Sequence, residues 1–150
     1  MKNNRYLKEL GYTWRDLPGN YDKRLAKEGE ACAAADCRNA EDDEGLCGYE
    51  FFSLDHSLAL YIYPRLCYFR DYIMDIGTPG CFTCSFYTTK NKDEITKVGQ
   101  EMWHQIVNDM CEAFRLILTL EDREGWSGID QQKINKGLHL FAEYYHCLWY

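Results

Sequence analysis

The sequence predicts an all-α protein, a small helical bundle of three long amphipathic helices behind an irregular N-terminal third. Three observations carry that expectation. Apolar residues recur every three or four positions over residues 54–76, 91–120 and 127–150, as they do in helices with one buried side. Gly77-Thr78-Pro79-Gly80 separates the first two stretches, and the charged run Glu121–Glu124 with Gly125 separates the last two. Clean strand-like alternation is absent, and only the Phe-, Tyr- and Thr-rich stretch 81–89 is compatible with a short extended piece.

The elements follow in order. In the front third, Leu7, Leu10, Trp14 and Leu17 are spaced like one helix face, closed by a turn at Pro18-Gly19-Asn20. A short helix over Tyr21–Ala35 fits its Lys, Glu and Ala content, and the acidic Glu41–Gly45 reads as a solvated loop. The first long helix is expected over Leu54–Ile76, with Ser53 as N-cap and Asp55 in the first turn, where negative charge suits the helix dipole. Its expected stripe is Leu54, Leu58, Ile62, Leu66, Phe69 and Ile73. Pro64 removes a backbone hydrogen bond, so a kink is expected near Leu60–Tyr63. The second helix is expected to begin at Asn91, with Glu94 completing a capping box. Its face comprises Trp103, Ile106, Val107, Met110, Phe114, Ile117 and Leu118. The third is expected from Ser127–Asp130 to the chain end, burying Ile134, Leu138, Phe141, Tyr145, Leu148 and Trp149. All 150 residues read as one domain, residues 1–50 irregular and 51–150 its helical core.

Composition narrows the function classes. At 46% hydrophobic the chain can bury a core. Seventeen basic against twenty-four acidic residues leave a net charge of −7, which argues against general DNA or RNA binding, where affinity comes from neutralising many phosphates. A small anionic ligand needs only two or three local cations and stays possible. Neither a bilayer-spanning run nor a signal-peptide pattern is seen, so a soluble intracellular protein without a membrane role is expected.

Eight cysteines occur, at 32, 37, 47, 67, 81, 84, 111 and 147. Cys67, Cys111 and Cys147 fall within helical patterns and read as small buried apolar residues. Cys81-Phe-Thr-Cys84 is the one tight pair, with Cys32 and Cys37 further upstream. A zinc site normally takes two tight pairs, or one with paired histidines, whereas His56, His104, His139 and His146 are scattered. Neither a metal nor a cofactor is expected.

The sequence contains no phosphate-cradling glycine loop, nucleophile elbow or His-Glu-x-x-His pair. Asp55 and His56 are the simplest acid–base candidates. Helical neighbours point about 100° apart, however, so they read more simply as polar residues at a helix start. Binding has better material: Arg65 and Arg70 stand among Tyr61, Tyr63, Tyr68 and Tyr72 on the first long helix. Arginine presents a planar fork to phosphate oxygens, and each base stacked on an aromatic ring contributes about 1–3 kcal/mol. Alternatively, these tyrosines are boundary residues of an apolar stripe and the arginines solvate the far side.

Three segments in fixed order carry a resemblance: Phe52-Ser-Leu-Asp55 with Pro64-Arg65-Leu66; Trp103-His-Gln-Ile106 with Met110 and Phe114; and Gly137-Leu-His-Leu-Phe141-Ala-Glu-Tyr-Tyr145 with Leu148-Trp149. Over residues 50–150 they resemble a widespread family of small helical proteins from bacteriophages and gut metagenomes. Through it, the chain resembles the phage sponge proteins that block CBASS, the cyclic-oligonucleotide antiphage system. The resemblance implies a non-catalytic sponge in the cytoplasm of an infected bacterial host. It would sequester a cyclic di- or trinucleotide, with Arg65 and Arg70 on phosphates, Tyr61, Tyr63 and Tyr68 stacking bases, and Asp55 or His56 reading a base edge. A symmetric ligand favours a homodimer or higher oligomer. The competing expectation is a phage accessory or adaptor protein acting through protein–protein contact, its aromatics building the core.

Overall fold

A computed structural model of the chain describes residues 5–12, 54–76, 92–119 and 128–148. Every regular element among them is helical: α1 (Arg5–Glu9), α2 (Leu54–Ile76), α3 (Lys92–Thr119) and α4 (Gly128–Tyr144), which continues into a 3₁₀ turn at Tyr145–Cys147. The protein is all-α, with α2 and the starts of α3 and α4 where the apolar periodicity places them. The expected caps Ser53 and Asn91, the front-third elements beyond Tyr12 and the stretch 81–89 lie outside the described residues. None of the described helices is long and apolar enough to cross a membrane. The chain divides into two compact units, Met1–Pro64 and Arg65–Tyr150.

In the first unit, α1 buries Tyr6 and Leu7. The helix face expected through Leu10 stops at Gly11, which takes φ +84°. Gly11 N–H donates to the Lys8 carbonyl at 3.1 Å and Tyr12 N–H to the Leu7 carbonyl at 2.9 Å. That is a Schellman closure, which needs a left-handed residue at the position glycine occupies. The first part of α2 buries Ala59, Leu60, Tyr63 and Pro64. The helix runs on through Pro64 without a break in its assignment.

The second unit is organised around α3. Trp103, Val107, Met110, Phe114 and Leu118 are buried as expected. Cys111, Ala113 and Leu116 are buried too, so the C-terminal half of α3 is covered on most of its circumference. α4 packs antiparallel along one side. Trp103 meets Tyr144 edge-on at 5.9 Å between ring centroids, Phe114 meets Phe141 at 5.3 Å, and Lys136 Nζ pairs with Asp109 Oδ2 at 2.7 Å.

Where α3 and α4 come closest, the contact is glycine. A Cβ on Gly137 would collide with the Ala113 Cβ and the Asp109 carbonyl oxygen. This close approach corrects the expected α4 stripe. The seam runs through Ile134, Gly137, Phe141 and Tyr144, and Leu138 and Tyr145 turn outward, at 38% and 66% exposed. The helix also stops short of the chain end. Its last turn tightens to 3₁₀, whose three-residue repeat keeps Cys147 in line with Tyr144, and Cys147 is buried.

Gly137→Ala is therefore expected to lower stability by about 1–3 kcal/mol, the cost of overpacking a tight contact. Gly128→Ala, at the open start of the same helix with nothing within 4 Å of the added carbon, is expected to leave stability unchanged or slightly raised. Urea unfolding of the two variants beside the parent reads the difference.

Candidate functional site

The seven residues singled out for ligand binding all lie on α2, and helix geometry divides them. Successive helical residues turn by about 100°. Residues 61, 65, 68 and 72, spaced four, three and four apart, therefore share one face. Tyr61, Tyr68 and Tyr72 are 52%, 66% and 42% exposed, and Arg65 is exposed beside them. Tyr63 lies about 160° round the helix from Tyr61, and Arg70 about 140° from Arg65. Tyr63 is buried and Arg70 is half-buried. His56 is also half-buried, its ring edge-on to Tyr12 at 5.6 Å, while Asp55 is exposed on the helix flank. The structure brings Tyr61, Arg65 and Tyr68 together on one face and sets Tyr63, Arg70 and His56 away from them.

Leu54 and Leu58, expected to lie inside, belong to the exposed face, at 52% and 48% exposed. The buried side runs instead through Ala59, Leu60, Tyr63, Leu66 and Cys67, on the opposite side from the expected stripe's N-terminal end. The cause is the composition of α2, which is apolar or aromatic on nearly every side. A helix with apolar residues all round does not declare its inward side, and packing decides.

Within the second unit, polar contacts hold the inner side of α2. Arg70 Nε donates to Asp71 Oδ1 at 2.8 Å, and Arg70 Nη1 to Asn108 Oδ1 on α3 at 3.1 Å. Burial is the strongest single influence and works against the Arg70 charge, but the hydrogen bond that Arg70 donates to Asp71, together with the negative charge Asp71 and the nearby thiols would carry, raises the guanidinium above its ordinary pKa. One turn away, Cys67 and Cys111 are free thiols, both buried. A hydrogen bond with Cys67 and burial push the Cys111 thiol well above its usual range, which removes the thiolate that nucleophilic or metal-binding chemistry needs. Cys147 is buried and free as well. All three cysteines fill the structural role expected of them.

Among the described residues no group of three or more His, Cys, Asp or Glu side chains is placed to hold a metal ion. Cys32, Cys37, Cys47, Cys81 and Cys84 lie outside the described residues, as does Trp149. On the outer face, Tyr68 and Tyr72 stack with their rings 6.1 Å apart and 14° from parallel. Two aromatic planes one turn apart thus form a flat ledge beside Arg65. Tyr72 was legible as an α2 tyrosine, but the shared face of the ledge with Leu54 and Leu58 was not.

Comparison of the chain with protein-family models, with curated proteins and with solved structures finds no match.

Two outcomes test this geometry. Arg70→Ala strips partners from Asp71 and Asn108 and is expected to cost about 1–2 kcal/mol in thermal or urea unfolding, against less than about 0.5 kcal/mol for Arg65→Ala. In native alkylation at mildly alkaline pH, read by peptide mapping, Cys67, Cys111 and Cys147 are expected to stay unmodified until the protein is denatured.

Proposed function

We propose that this chain is a non-catalytic binding protein whose working surface is the outer face of α2, used for protein–protein contact. One observation carries the reading: Leu54, Leu58, Tyr61, Arg65, Tyr68 and Tyr72 stand on one side of a single helix, and all are exposed. Single exposed apolar residues are ordinary, but a contiguous run marks an interaction surface. Its composition is that of interface anchors, since tyrosine and arginine dominate binding hot spots. The surface of one helix is convex, which suits a partner groove or helix better than a small enclosed ligand. The inner side supports the same reading. There the Arg70 guanidinium and the Cys67 and Cys111 thiols hold helices together.

A second reading, cyclic-oligonucleotide sequestration, is favoured by a narrower observation on the same face. Arg65 lies one turn from Tyr61 and about one turn from Tyr68, a cation between two exposed rings that offers phosphate pairing and base stacking together. Arg70 is already engaged by Asp71 and Asn108, so a second cation would have to come from elsewhere, such as a second copy.

The experiment places a photo-crosslinking amino acid at Tyr68 in cells, with Lys133 on α4 as an exposed control. A protein adduct at position 68 and none at 133 is the expected result. Beside it, a thermal-shift series with cyclic di- and trinucleotides is expected to leave the midpoint unmoved. A ligand at 100 times its dissociation constant would add about 2.7 kcal/mol and raise it by several degrees. No adduct, together with a nucleotide shift lost in Arg65→Ala, replaces the first reading with the second.

A further inference from the structure

The outer face of α2 has a symmetry of its own. Its six residues, at 54, 58, 61, 65, 68 and 72, are separated by four, three, four, three and four positions, an order that reads the same from either end. Laid antiparallel on a second α2, this face sets Leu54 against Tyr72, Leu58 against Tyr68 and Tyr61 against Arg65, twice over. We propose that this face is an isologous interface between two copies of the chain, paired antiparallel through α2. The inference rests on the reading of this face as a protein-contact surface, and it names the partner.

Spacing is the first argument. The five steps span eighteen residues and average 3.6, the turn of the α-helix itself, so the six residues stay on one side of α2 over about 27 Å at 1.5 Å per residue. A C2 pair needs such a self-complementary patch, in which each contact occurs twice.

Charge selects the direction. Arg65 is the one charged residue of the six. A parallel pair would set its guanidinium against its own copy. The antiparallel register sets it over the Tyr61 ring of the other copy, a cation–π contact. A two-fold axis across the helices also brings like flank to like flank, so Asp55 comes near the half-buried Phe69 and away from another carboxylate. Asp71, on the other flank, comes near Ser57 and keeps its own partner Arg70.

Area is the third argument. With tyrosines at 52%, 66% and 42% exposed and leucines at 52% and 48%, the six side chains of two copies offer about 1,000 Å², taking 150–250 Å² per whole aromatic. That lies at the lower bound, about 1,000 Å², for a specific interface and below the standard size, as for a weak, concentration-dependent dimer. The stacking of Tyr68 on Tyr72 orders two of the contact residues beforehand and reduces the entropy lost on pairing.

Sedimentation of the full chain over a micromolar concentration series tests the pairing, with Tyr68→Glu and Tyr61→Glu as paired probes. Both positions are exposed, and unchanged circular dichroism and melting are expected to show that the variants fold. The parent is expected to sediment as a dimer. Tyr68→Glu sets a carboxylate against Leu58 of the other copy and is expected to weaken the dimer at least tenfold, by roughly the cost of an unpaired buried charge. Tyr61→Glu sets its carboxylate against Arg65 of the other copy and is expected to remain dimeric. A parent that stays monomeric overturns the proposal, as does equal dissociation of both variants or of neither. If the parent is monomeric yet position 68 still crosslinks to a different protein, self-pairing fails and the protein-contact reading stands. A monomeric parent with no adduct ends both.

Discussion

The second unit depends on one contact, the near-touch of α3 and α4 at Gly137 and Ala113. Two helices approach this closely only where side chains are almost absent, and Gly137 has no room for even a methyl group. Beside that point Phe114 packs edge-on to Phe141, and one turn further along α4 Trp103 packs edge-on to Tyr144. The same contact sets which side of α4 faces in. With Gly137 on the seam, Leu138 is turned outward, and Tyr145 follows it to the surface.

The other side of the α3 C-terminal half is held by different chemistry. Cys67 and Cys111 share a buried thiol–thiol hydrogen bond, and Arg70 reaches across to Asn108. These contacts orient α2, because a helix can present only one side to a partner. Once Cys67 and Arg70 face inward, residues 65, 68 and 72 must face outward. The exposed tyrosine ledge is thus a consequence of the polar contacts beneath it. Burial of both thiols gives these cysteines a packing role, and the guanidinium of Arg70 becomes a structural tie where the sequence alone offered it to a phosphate.

Much of the fold was legible in the sequence for a plain reason. The ends of α2 and the starts of α3 and α4 follow local signals, and the α3 face from Trp103 to Leu118 has a strong three-and-four periodicity against a polar background. Where polar and apolar residues segregate cleanly, transfer free energy alone decides which side is buried. Short-range chemistry likewise stops α1 at Gly11, whose missing side chain admits the left-handed closure, although the spacing of Leu7 and Leu10 read as a longer face.

The outer face of α2 was only partly legible, since Leu54 and Leu58 read as inward while Tyr63 and Arg70, singled out for binding, lie on the inner side. Tyr61, Tyr63, Arg65, Tyr68 and Arg70 were all singled out, yet α2 carries apolar and aromatic residues around most of its circumference, so periodicity could not say which pointed out. By itself the sequence determined the helices, because hydrogen-bonded turns, caps and apolar spacing are local matters. Only the tertiary structure decided the faces. Which side of α2 or α4 is buried depends on partners far away in the chain, on Asn108 and Cys111 across from Arg70 and Cys67, and on the space available at Gly137.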